Sequence, residues 1–159
     1  MRIFKGLLGV CLVLASSLTW AATSPVPMLE KTADQIIDTL EKNKGKLKDN
    51  PSLVQRTVRE HLLPHIDVQG MARSVLGRNA WTRATHEERE RFTQAFSRLG
   101  VRTNAAPLAE YSDEKIMFLP ERAAPSGRFT RVKSVIIRSN GQKIPLSYSL
   151  VLKNGVWKE

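Results

Sequence analysis

The chain has 159 residues, 25 Lys and Arg against 15 Asp and Glu for a net charge of +10, and a single cysteine, Cys11. That length fits one domain, and one cysteine excludes an internal disulfide. A chain this basic meets nucleic acid inside the cell or anionic surfaces outside it, and its N-terminus decides between them.

Arg2 and Lys5 precede a run from Gly6 to Leu18 without a charged residue, and small residues follow at Thr19, Ala21 and Ala22. The run is too short to span ~30 Å of hydrocarbon as a helix, so residues 1–21 read as a cleavable secretory signal. Cutting after Ala21 puts Thr19 at minus three, whereas cutting after Ala22 puts bulky Trp20 there; the mature chain is expected to begin at Ala22. A lipoprotein signal acylated at Cys11 is the competing reading, but Val10 occupies the position where that signal needs Gly or Ala. Loss of Arg2 and Lys5 lowers the charge from +10 to +8 on a mature domain spanning 22–159. An exported protein meets almost no nucleic acid. The basic surface therefore points to anionic lipid, or to solubility alone.

Leu29, Ala33, Ile36, Ile37 and Leu40 recur at helical spacing and predict an amphipathic helix from Met28 to about Asn43. Asn50 with Pro51 opens a second helix carrying Val54, Val58 and Leu62, which should stop near Pro64. Asp67 caps a third from Val68 to Leu76, closed by Gly77, with Trp81 in the loop beyond. Thr85 and Glu88 match a capping box for a long fourth helix with Phe92, Phe96 and Leu99 on its inner stripe. Gly100 and Pro107 argue against its perfect continuity toward Tyr111.

From Lys115 the period becomes alternating. Short strand 116–119 precedes a longer one over 128–138, and Asn140-Gly141 predicts a type I′ hairpin into Ile144, Leu146, Tyr148, Leu150 and Leu152 at period two. Asn154-Gly155 marks another hairpin into Val156, Trp157 and Lys158. Helices followed by an antiparallel meander define an α+β domain. A strand that stops just after a turn leaves its neighbour's backbone groups unpaired, so the C-terminal strand and helices of the domain are expected to be missing from this chain.

The run Leu63-Pro64-His65-Ile66-Asp67, then Met71-Ala72, Val75-Leu76-Gly77, Trp81, Ala84-Thr85, Glu88-Arg89 and Phe92 with Phe96 resembles the MlaC, or toluene-tolerance, family. The pattern covers about 35 residues, and the remaining elements follow the family's order. Asn104 and Pro107 depart from it in the long helix. The resemblance implies a fold like that of nuclear transport factor 2, with N-terminal helices packed on a curved antiparallel sheet around a lipid pocket. It also implies a periplasmic carrier of phospholipid for outer-membrane asymmetry. The implied partners are an inner-membrane ABC transporter with an MCE-domain protein and an outer-membrane lipoprotein-porin complex.

The apolar face of the period-two strand, covered by the helix stripes, is either a filled core or a ligand cavity. Under the carrier reading the lining would draw on Met71, Val75, Trp81, Phe92, Phe96, Leu108, Tyr111, Val135, Ile137, Leu146, Tyr148 and Leu150. Burying one methylene contributes about 0.8 kcal/mol and two acyl chains on the order of 20 kcal/mol, so the tails need enclosure. The charged headgroup stays near a mouth expected to be basic. Trp81 is a packing anchor or a ligand contact, and Asp67 a helix cap or a catalytic carboxylate. His61 and His65 are four apart, but Pro64 breaks the helix that would align them, and no H-E-x-x-H or cysteine partner exists, so no metal site is expected. No nucleophile elbow, P-loop or dinucleotide fingerprint is present, and no catalytic residue or cofactor is expected. An enzyme with a carboxylate in an apolar cavity and a protein-binding adaptor are the competing functions.

Overall fold

The computed structural model describes residues 24–120, 125 and 127–159. The expected signal segment and Cys11 lie outside the described residues.

Helix α1 spans Val26–Lys42, and α2 spans Pro51–Thr57 with the Asn50 side chain accepting from the Leu53 amide. The second helix continues as a π-helical turn over Val58–Leu62 and a 3-10 turn over Leu63–His65. The helical region ends at His65, with Ile66 extended, so the stop falls beside Pro64 as expected. Pro64 offers no N–H and its ring needs room, and widening the turn ahead of it accommodates both. Helix α3, Val68–Leu76, starts where Asp67 Oδ1 accepts from the Gly70 amide at 3.1 Å.

Trp81 departs from the expected loop: it sits in a short helix α4, Arg78–Arg83. Gly77, at φ 81°, ends α3 and opens α4 in one residue, which a side chain would resist. Helix α5 runs unbroken over His86–Leu108, with both halves of the Thr85/Glu88 capping box formed. Gly100 and Pro107 do not interrupt it. Pro107 is the penultimate helical residue, so its missing N–H removes one bond where the helix is ending anyway.

Strands β1 (Lys115–Phe118), β2 (Phe129–Ile137), β3 (Lys143–Lys153) and β4 (Val156–Lys158) form a curled antiparallel sheet in chain order. The α+β architecture is as expected, with the helices packed on one side of the sheet. Asn154 and Gly155, at φ 50° and 78°, make the two-residue β3–β4 turn. The β2–β3 connection differs from the expected type I′ turn. Only Gly141 has positive φ, and the Gly141 amide donates to the Arg138 carbonyl, so the turn spans Arg138 to Gly141 with the glycine as a bulge.

Two buried clusters flank α1. Leu40 meets Leu47, Val54, Val58, Val101 and Ala105 among the helices, while Leu29 meets Val132, Leu150 and Trp157 on the sheet. The helix therefore bridges two cores, and between them it faces a hollow.

Candidate functional site

The hollow is a cavity of about 280 Å³ between α1, the end of α5 and the inner face of the sheet. Helix α1 contributes Leu29, Thr32, Ala33, Ile36, Ile37 and Leu40, the stripe visible in the sequence. The sheet contributes Ile116, Phe118, Ile136, Ile144 and Tyr148, and Pro107, Leu108 and Tyr111 close the far end. Its size lies near the lower end of ligand pockets, roughly 300–1,000 Å³.

Strand register explains which side chains reach it. Ile116 pairs with Ile136 and Ile136 with Ile144, so the three share one face; Phe118, Ser134 and Leu146 form the next such row. Ser134 Oγ and Tyr148 Oη lie 3.0 Å apart. Burial raises the Tyr148 pKa, against the opposing pull of the Ser134 bond. Tyr111 is pushed up to about 12, first by burial and then by its hydrogen bond to Glu41, whose Oε1 accepts at 3.2 Å. Both phenols are therefore neutral at physiological pH.

The polar part of the lining is mixed rather than simply basic: Lys115 and Arg138 stand with Glu114 and Glu159. Glu114 Oε2 accepts from the Ser112 amide at 2.6 Å. Burial raises the Glu159 pKa. Among the described residues no cluster of His, Cys, Asp and Glu could hold a metal ion, and no helix is long and apolar enough to cross a membrane.

The twelve sequence-derived candidates fall in several places. Leu108, Tyr111 and Tyr148 line the cavity, and Leu146 shares its inner sheet face. Met71, Val75, Phe96 and Leu150 border an open groove of about 990 Å³ between α3, α5 and the β2–β3 pair. Met71 and Phe96 also reach a hollow of about 240 Å³ that shares Leu62 and Glu159 with the main cavity. Phe92 stacks on Phe96 with ring centroids 6.5 Å apart. Trp81 is buried beneath the Arg89 guanidinium, 5.5 Å from its ring, while Arg89 Nε donates to its carbonyl at 2.8 Å. Val135 and Ile137 point to the other face of the sheet. The register brings Ile136 to the cavity instead, and the α1 stripe, read in the sequence only as the apolar face of an amphipathic helix, supplies most of the helical wall.

The sequence model of the MlaC protein family matches residues 30–159. The chain belongs to the MlaC family. It is 30% identical over 141 residues to the intermembrane phospholipid transport system binding protein MlaC of Haemophilus influenzae, covering 87% of this chain and 65% of that protein. It is 29% identical over 154 residues to the toluene tolerance protein ttg2D of Pseudomonas putida, covering 97% and 71%. The chain therefore spans about two thirds of the length of these relatives. Its fold matches the solved structure of a phospholipid-binding protein from Ralstonia solanacearum in complex with a phospholipid. There the TM-score is 0.73 and the identity 26%, over 83% of this chain and 73% of that one.

Proposed function

We propose that this MlaC-family chain is a periplasmic phospholipid carrier, exported by a signal cleaved near Ala21, that holds acyl chain out of water and catalyses no reaction. The observation that carries this reading is the cavity between α1 and the inner sheet face, whose wall is mainly aliphatic and aromatic side chains. Each methylene moved there from water contributes about 0.8 kcal/mol, which no exposed patch can match. The adjoining hollow past Leu62, with the Met71/Phe96 groove beyond it, offers a course for a second tail. Lys115 and Arg138 suit the headgroup phosphate, which is costly to desolvate and stays at the rim. Loading and unloading would involve an inner-membrane ABC transporter with its MCE-domain protein and an outer-membrane lipoprotein-porin complex, maintaining the asymmetry of the outer membrane.

Native mass spectrometry and lipid extraction of the exported chain test the reading. Phospholipid co-purifying in stoichiometric amount is the expected result, and a lipid-free, folded preparation overturns it.

One observation favours a second reading. Glu159 is a cavity-lining carboxyl with a pKa raised by burial, the feature an acid-base enzyme of this fold would need. Glu159→Gln separates the two: a carrier keeps its lipid after the change, whereas a catalytic carboxyl shows itself as turnover lost from a small-molecule substrate.

A further inference from the structure

The positive charge of the protein is segregated. Residues 24–114 hold 14 Lys and Arg against 13 Asp and Glu, a net of +1, while residues 115–159 hold nine against two, a net of +7. Charge that served solubility alone would have no reason to gather on the sheet. The four strands contain six Lys or Arg and no acidic residue.

The register places much of this charge on the outer face, away from the cavity. Lys115 and Lys143 flank Ile137 in one row, Met117, Val135 and Pro145 form the next, and Lys133 and then Arg131 follow on β2 toward Phe129. Lys115, Arg131, Lys133 and Lys143 have no carboxylate partner among the described residues, in contrast to Lys153, which is held by Asp67. Among these cations Met117 is 48% exposed, and at their end Phe129 is 72% exposed where it and Arg131 also border the groove beside α3 and α5.

We propose that the outer face of the sheet docks onto an anionic lipid surface. Cations spaced over a strand face match a layer of phosphates, and large apolar side chains among them have somewhere to go at a bilayer interface that an acidic protein face would not provide. Lys115 stands both on this face and on the cavity rim, so docking sets the cavity entrance at the edge of the contact. This goes beyond the carrier reading, and it is measured separately.

The test is flotation of the full exported chain with vesicles of phosphatidylcholine alone or mixed with phosphatidylglycerol, at low and high salt. Binding is expected only with the anionic vesicles, weakening as salt rises. Replacing Lys133 and Lys143, which line neither the cavity nor the groove, with Ser should weaken it about fivefold per cation, about 25-fold together. Phe129→Ser should weaken it about tenfold. A charge-matched control replaces the exposed helical residues Arg56 and Arg102 with Ser and should bind nearly as the parent does. Circular dichroism verifies that each variant is folded, and co-purified phospholipid, read on the two charge variants, reports the cavity independently. The proposal is overturned if the parent ignores anionic vesicles, if the sheet and helix variants lose binding equally, or if Phe129→Ser changes nothing.

Discussion

Ser134 and Tyr148 share a hydrogen bond of 3.0 Å across β2 and β3, joining a residue only 1% exposed to a side chain on the cavity wall. Tyr148→Phe strands the Ser134 hydroxyl in an apolar wall, and a loss of about 1–3 kcal/mol is expected. Ser134→Ala should cost less, because the tyrosine hydroxyl can turn toward the cavity. The double variant should cost less than the sum of the two, and urea unfolding followed by circular dichroism measures all three. Strict additivity would show that the bond contributes nothing.

Asp67 caps α3 and ties it to β3: Oδ1 accepts from the Gly70 amide within the helix at 3.1 Å, and Oδ2 meets Lys153 Nζ on β3 at 2.5 Å. A β-carbon at Gly70 would collide with that carboxylate. Gly→Ala inside a helix ordinarily stabilises by about 1 kcal/mol. Here Gly70→Ala is expected to destabilise, because Asp67 must swing out and give up both the cap, about 1 kcal/mol, and the ion pair. In an Asp67→Ala background the sign should revert. Thermal melts of the four variants check it, and stabilisation by Gly70→Ala alone would refute the steric account.

Much of this architecture can be read before folding. Asn50 before Pro51, Asp67 three residues before Gly70, and Thr85 three before Glu88 are local signals whose partners lie within one helical turn, so no distant contact is needed to interpret them. The period-two face of β3 is equally direct: Ile144, Leu146, Tyr148 and Leu150 all point inward. The phase of β2 is harder, because Val135, Ile136 and Ile137 are three apolar residues in a row and alternation cannot say which face each takes. Only pairing with β1 and β3, together with the buried Ser134, puts Ile136 in and its two neighbours out. Trp81 was equally opaque, since its helix begins at the residue that ends the one before.

His65 gives the fold a pH response. Burial first, then the nearby Lys158 and Lys31, lower its pKa, so the folded state favours the neutral ring. Between that depressed value and the ordinary ~6.5 the unfolded chain binds the proton and the folded chain does not, so stability rises with pH through this window and is complete above it. Acidification below about pH 6.5 should lower the urea midpoint, and His65→Gln should flatten that part of the profile. An unchanged slope in the variant would place the acid sensitivity elsewhere.

Ile136 and Ile137 offer the sharpest test of the cavity, because adjacent residues of one type face opposite sides of one sheet. A Trp at 136 enters the hollow between α1 and the strands, occupying space that hydrocarbon would otherwise take. Filling an existing void with apolar surface costs little stability where the new ring finds room, in contrast to a truncation such as Leu40→Ala, which opens a void in the helical core and should cost about 2–5 kcal/mol. Ile136→Trp is therefore expected to fold while retaining much less phospholipid on purification. Ile137→Trp adds the same atoms to the outer face and should retain as much as the parent. Lipid extraction from equal amounts of the two variants decides between them, and equal retention would mean that acyl chains are held somewhere other than this cavity.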